Sequence, residues 1–170
     1  MQSHHKEFKG FKLLKLFVTG GITAILTSNA SPVLSQVDAQ LRAITDFEAR
    51  IYIASINRAQ QVYYVENEEF ANKLSLLSGY PSQTTNYRYG IVVPKGLSYP
   101  AAAHQARPKK QSYKAVIGGV ALAVIGGDPL VVTLRCVANK SPAQGGAKGT
   151  ELPIFGANGA ISCPTGYRSI

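Results

Sequence analysis

The chain has 170 residues, 45% of them hydrophobic, which is enough for one domain with a core plus a targeting segment and excludes a disordered chain. Charged residues are only 16%, below the roughly 25% of typical soluble domains, and 16 Gly with 9 Pro make the chain rich in turns, as extracytoplasmic proteins often are. The net charge of +9 suits an anionic partner such as DNA or a membrane surface.

The first ten residues, MQSHHKEFKG, form a basic leader. Lys6, Lys9, Lys12 and Lys15 oppose only Glu7, the charge pattern of an export or positive-inside signal. His4 and His5 read as incidental polar residues rather than metal ligands. An apolar segment covers residues 11–34, interrupted by Lys15, Gly20 and Gly21. A spanning helix wants about 20 predominantly apolar residues. A signal peptide explains the same pattern, with small residues Ser28 and Ala30 at an A-x-A-like cleavage site.

From Val37 the periodicity becomes helical and runs without Gly or Pro to Tyr64. Val37, Leu41, Ile44, Phe47, Ile51, Ile56, Ala59, Val62 and Tyr63 recur at helical spacing, and such a stripe is expected to pack on a sheet. Asp46 and Arg50 form an i,i+4 pair in the favourable order. Glu66, Glu68 and Glu69 mark the helix exit and read as solvated charge, because a calcium site needs more oxygen ligands at loop spacing.

A short helical turn before Gly79 and Pro81 comes next. The run NYRYGIVV over residues 86–93 reads as a strand. Residues 101–111 read as irregular and basic. YKAVIGGVALAVI, residues 113–125, reads as a strand broken or bulged at Gly118-Gly119, and Asp128-Pro129 as the following turn. LVVTLRCVA, residues 130–138, is another strand, a Gly-rich loop covers residues 140–149, and a short last strand falls near residues 154–162. The order of one long helix followed by three or four strands is α+β with an antiparallel meander.

Little in this pattern carries chemistry. The sequence holds no G-x-S-x-G, no H-E-x-x-H and no P-loop, so no enzyme and no cofactor is expected. His104 is the one histidine beyond the leader, and it would need a Ser or Cys brought close in space to act as a base. Arg107, Lys109, Lys110 and Lys114 form the one basic cluster of the domain, which reads as a solvated basic loop or, alternatively, as candidate anion-binding residues for DNA or another anion. Cys136 and Cys163 lack a CxxC spacing and a neighbouring His. An exported chain would join them in a disulfide, whereas a cytosolic one would keep two free thiols.

These pieces resemble the type IV pilin-like proteins, in particular the G and H group of cyanobacteria. The residues that carry the resemblance are Gly10-Phe11 with the run that follows, then Asn57-Arg58, Gln60-Gln61, Tyr63-Tyr64, Glu66-Asn67 and Phe70, then Asn86-Tyr87-Arg88-Tyr89. SYKAVIGGV at residues 112–120 and the late cysteine pair complete it. The resemblance implies a long N-terminal helix packed on a small antiparallel sheet, with the leader at residues 1–10, a membrane or export segment at 11–34 and a pilin-like domain at 35–170. Within that domain the stem helix is expected over about 37–65 and the sheet over about 86–163. It implies a structural or assembly subunit of a pilus or a type II secretion system, with other pilin-like subunits as partners. A prepilin peptidase would cut after Gly10 and methylate Phe11, and Cys136 and Cys163 would bound a disulfide-closed region. Residues 101–110 and 140–149 are the expected display loops.

The chain departs from the family at one point. The fifth mature position, usually Glu, is Lys15, which would repel the N-terminal ammonium that the Glu is implied to pair with. An unpaired charge in a low-dielectric bundle costs several kcal/mol. Two locations follow for the N-terminal segment: a single-pass inner-membrane anchor with a periplasmic or extracellular head, or a soluble exported chain cut after Ala30. In the second case the protein would be a binding module that holds an anionic ligand on its basic loop.

Overall fold

The computed structural model describes residues 23–170, with side chains from Val33 onward. Gly10, Phe11 and Lys15 lie outside the described residues. The chain divides into two units, Met1–Asp38 and Ala39–Ile170. Helix α1 is Thr23–Asn67. It ends as Asn67 returns its side-chain amide to the Tyr63 carbonyl at 2.9 Å, and as Glu68 takes a left-handed φ of 59° with its N–H on the Tyr64 carbonyl. A short 3₁₀ turn, Leu74–Leu76, follows before Gly79 and Pro81.

Seven strands come next: β1 Tyr87–Val92, β2 Ala101–Pro108, β3 Val116–Ile125, β4 Asp128–Ala138, β5 Ile154–Phe155, β6 Ile161–Ser162 and β7 Tyr167–Ser169. Five form one antiparallel sheet in the order β1-β2-β3-β4-β7, and β5 and β6 form a separate two-stranded ribbon. The α+β class and the meander through β1 to β4 are as the sequence implied.

Several local expectations are corrected. Residues 101–108 are not irregular: they are β2, and Ala101 to Gln105 are buried, so the segment is no display loop. Its Ala-rich, His-containing run has weak strand propensity, and placement between β1 and β3 decides its state. β3 is neither broken nor bulged, since Gly118 and Gly119 pair in continuous register with Arg135 and Leu134. The hairpin turn is Gly126-Gly127, both at positive φ as a two-residue connection requires, while Asp128 and Pro129 already belong to β4. The stretch expected as one last strand is the β5–β6 ribbon.

The sheet has two covered faces. Gly118 and its face carry α1: a Cβ added there would lie 2.5 Å from Ile53 Cγ2 and 3.0 Å from Asn57 Oδ1, so hydrogen alone lets the helix approach this closely. Ala49, Ile53 and Ile56 join Tyr87, Tyr89, Ala106, Val116 and Val137 in the core between them. The opposite face is covered by the C-terminal segment, where Ile117, Cys136, Ala138 and Tyr167 cluster with Leu134 and Cys163. Gly119 points that way, toward Pro153, Phe155 and Ile161.

Candidate functional site

Helix α1 shows two chemically different faces, and they are not distributed as the apolar stripe suggested. The sheet-facing side is lined by Asp46, Ala49, Ile53, Ile56, Asn57 and Gln60, all buried. Half of these are polar, and each polar group is answered. The Asp46 carboxylate accepts from the Lys114 backbone N–H at 3.1 Å and from the Tyr87 hydroxyl at 3.4 Å. Arg50, expected to pair with it, instead has its buried Nε without a hydrogen-bond partner. Glu48 accepts from Thr84 at 2.6 Å, Asn86 at 2.8 Å and Tyr89 at 3.4 Å, which ties the approach to β1 onto the helix.

One turn later the Asn57 amide donates to the Leu134 carbonyl at 3.0 Å, and its Oδ1 lies 2.8 Å from His104 Nδ1. Because Asn57 can only accept at Oδ1, the proton sits on Nδ1 of His104, and Nε2 is left buried with no partner. Complete burial pushes the His104 pKa down to about 3, so the ring is neutral. Its partner is an amide and not a nucleophile, which makes His104 a structural residue. Gln60 closes the series with two reciprocal 2.9 Å bonds to Ala71, clamping the chain where it leaves the helix. Tyr64 and Phe70 pack in a tilted pair across the same exit with centroids 4.7 Å apart.

Aromatic rings seal the edge of this seam. Tyr89 stacks on Tyr52 at 3.6 Å, and Tyr80 meets Tyr52 edge-on at 5.8 Å. Tyr52 bonds the Pro81 carbonyl, and burial with the neighbouring Tyr80 pushes its pKa up to about 12. Burial, with Asp46 and Glu48 near by, holds the Tyr87 hydroxyl protonated well above its ordinary range.

The other side of α1 is apolar and uncovered. Leu41, Ile44, Phe47 and Ile51 are 53%, 68%, 62% and 52% exposed, and Val62 and Val65 continue the row at 58% and 81%. Val33, Leu34 and Val37 are exposed as well. Of the stripe read as core, only Ile56 is fully buried, with Ala59 and Tyr63 packed at its border. The apolar stripe of the sequence therefore lies on the outer face, because the true inner face is half polar.

Cys136 and Cys163 are joined in a disulfide with Cα atoms 5.8 Å apart, across a separation of 27 residues. The segment between them includes a 3₁₀ turn at Pro142–Gln144 held by a Ser141/Gln144 capping box. Glu151 anchors its return. Burial alone would raise this carboxyl, yet bonds from its own N–H, the Tyr167 hydroxyl and the Lys148 and Gly149 N–H groups hold its pKa below the ordinary carboxylate value.

The candidate anion-binding residues lie at and after the end of β2. Arg107 is exposed beside Gly90, Lys109 Nζ donates to the Thr84 carbonyl at 2.6 Å, and Lys110 sits 5.6 Å over the Tyr113 ring. The Lys114 backbone is the part of that residue held by Asp46 and Tyr87. Among the described residues no group of three or more His, Cys, Asp and Glu side chains comes together to hold a metal.

The residues that stitch helix to sheet, Asn57, Gln60, Gln61, Tyr64, Phe70, Tyr87, Tyr89 and Gly118, are largely those on which the resemblance rested. No curated protein and no solved structure matches the chain. The family model for type IV pilin-like G and H proteins (putative) matches residues 46–164, from Asp46 at the base of the seam to just beyond Cys163, and this chain belongs to that family.

Proposed function

We propose that this pilin-like protein is an assembly subunit that packs α1 against the helices of other pilin-like subunits and carries its sheet outward, in a pilus or a type II secretion assembly. The observation that supports this reading is the uncovered apolar row Leu41, Ile44, Phe47 and Ile51, each more than half exposed. Monomeric proteins rarely leave such a contiguous face bare, and a face of this kind commonly marks an interaction site. The buried seam keeps α1 fixed on its sheet and leaves that row available. Catalysis has no part in the mechanism.

Cleavage after Gly10 to give an N-terminal Phe11 belongs to the same proposal, with residues 11–34 held in the inner membrane and the head beyond it. Among the described residues, no helix is long and apolar enough to cross a membrane. The experiment replaces Ile44, Phe47 and Ile51 by Gln in the full chain and follows self-association by chemical crosslinking and sedimentation, with the N-terminal sequence of the same preparations read in parallel. The triple variant should keep its unfolding midpoint and lose association, and the mature chain should begin at Phe11. Undiminished association would overturn the packing reading, and a chain beginning at Ser31 would overturn the anchor.

A further inference from the structure

Arg58 interrupts the exposed row of α1, seven residues beyond Ile51 and seven before Val65, and so on the same helix face. It borders a polar cleft of about 230 Å³ lined by Ala54, Asn57, Arg58, Gln61, Thr133 and Arg135. Neither guanidinium has an ion-pair or hydrogen-bond partner among the described residues. The Asn57 amide is already committed to Leu134 and His104. β7 pairs with β4 only from Cys136 to Ala138, so the β4 edge is open at Thr133, beside the cleft. Two forked cations and a hydroxyl facing one small cleft are a receptor for a carboxylate or phosphate group.

The assembly reading supplies a constraint on the occupant. If another subunit covers the exposed face of α1, Arg58 leaves water with it. A charge so buried is tolerated only when paired. The chain's own carboxylates can be sorted. Asp46, Glu48 and Glu151 are engaged within the fold, and Asp38 and Asp128 are exposed but stand singly, with no second carboxylate beside them in the sequence. Glu66, Glu68 and Glu69 are exposed together at the helix exit and make no contact with a described cation. They stand on a fixed backbone, because the Glu68 N–H, the Asn67 side chain and the Gln60 clamp all hold that exit.

We propose that the Arg58–Arg135 cleft of one copy receives the Glu66, Glu68 and Glu69 carboxylates of a second copy. Cleft and carboxylates are different patches of the chain, so the contact is heterologous and propagates from copy to copy instead of closing a two-fold dimer. The proposal rests on the assembly reading and deepens it by naming the charges that set the order of the subunits.

The test is a charge swap in the full chain. One variant carries Arg58→Glu with Arg135→Glu, the other Glu66→Lys, Glu68→Lys and Glu69→Lys, and circular dichroism with an intact disulfide checks both folds. Each variant alone should associate about 30-fold or more weakly than the wild type, and an equimolar mixture of the two should recover pairing across the contact. Arg58→Glu alone, at an exposed position, should show the same weakening if the double variant does not fold. Wild-type association in both swapped variants, together with its loss in the Ile44, Phe47 and Ile51 variant, would overturn the cleft contact and leave the helix-packing reading standing. Loss in both variants without recovery in the mixture would overturn this pairing as well. A wild-type chain that does not associate would overturn both.

Discussion

The closest approach of helix to sheet is at Gly118, and adding one methyl group there tests the whole seam. In Gly118→Ala the new Cβ falls 2.5 Å from Ile53 Cγ2, 3.0 Å from Asn57 Oδ1 and 3.3 Å from the Leu134 carbonyl. Ile53 is fully buried, and in a core packed to ordinary density the contact is relieved chiefly by a lift of the helix of roughly 1 Å. Overpacking of this kind costs about 1–3 kcal/mol. Lifting also stretches the Asn57 bonds to Leu134 and His104, and a buried polar group that loses its partner costs a further 1–3 kcal/mol or so. The gain from replacing a strand glycine offsets only about 0.5–1 kcal/mol. The net loss should be on the order of 3 kcal/mol, read as a fall in the denaturant midpoint at unchanged m-value. Gly119→Ala is the control on the opposite face: its Cβ meets the Pro153 ring at 3.2 Å, a contact that side-chain adjustment can relieve, so the loss should stay near 1 kcal/mol. In a double-mutant cycle, Ile53→Ala, which removes the clashing Cγ2, should recover part of the Gly118→Ala loss. Equal effects at the two glycines, or strict additivity with Ile53→Ala, would refute the close-approach argument.

Two further outcomes follow from buried groups. His104 is neutral in the fold with a pKa near 3, against an ordinary value of 6.5, so the unfolded chain gains a proton that the folded chain refuses. Its contribution is intact above pH 6.5 and falls away as the pH drops toward 3, by up to about 2.7 kcal/mol at pH 4.5. His104→Asn should flatten the difference in unfolding free energy between pH 7 and 4.5 by most of that amount, and parallel pH curves for the two proteins would refute it. Replacing Cys136 and Cys163 by Ala should lower stability by about 3.5 kcal/mol, the loop-closure value for a separation of 27 residues, and a loss under about 1 kcal/mol would show that the outer segment is held by other contacts.

The sequence displayed the elements whose signals are local. β1 and β4 declare themselves through β-branched and aromatic runs, and the Gly79 and Pro81 stop through backbone chemistry. β2 was not legible, because Ala-Ala-Ala-His-Gln-Ala has no strand propensity of its own and takes its state from two neighbours far along the chain. Gly118-Gly119 read as a defect because periodicity cannot tell a break from a place where a helix on one face and a proline on the other both press on the strand. The seam was hidden for a similar reason. A polar residue at a helical position counts as outward-facing, and Asp46, Asn57 and Gln60 reverse that rule only because backbone groups from β4 and from residues 71 and 114 meet them. What did point to Asn57, Gln60 and Tyr87 was family resemblance, which records such long-range pairings without explaining them.

The two faces of α1 together explain why the helix is built against the usual pattern. An inner face made only of leucine and isoleucine would compete with the outer one for the same sheet, since each would bury as well and rotation of the helix would exchange them. Asp46, Asn57 and Gln60 remove that ambiguity. Their bonds form in one rotation only, and any other would leave buried polar groups unpaired at about 1–3 kcal/mol each. Specificity then comes from the polar seam, and the apolar row is forced outward. At the exposures observed, Leu41, Ile44, Phe47 and Ile51 leave roughly 400–500 Å² uncovered, equivalent to about 10–12 kcal/mol of gross burial at 25 cal/mol/Å². That is comparable with the 4–15 kcal/mol or so lost in translational and rotational freedom on association. The row alone is therefore marginal for pairing two copies in solution. It becomes sufficient when a membrane or a growing assembly has already removed most of that freedom, and a weak, undirected apolar contact then needs a charged one such as Arg58 to fix its register.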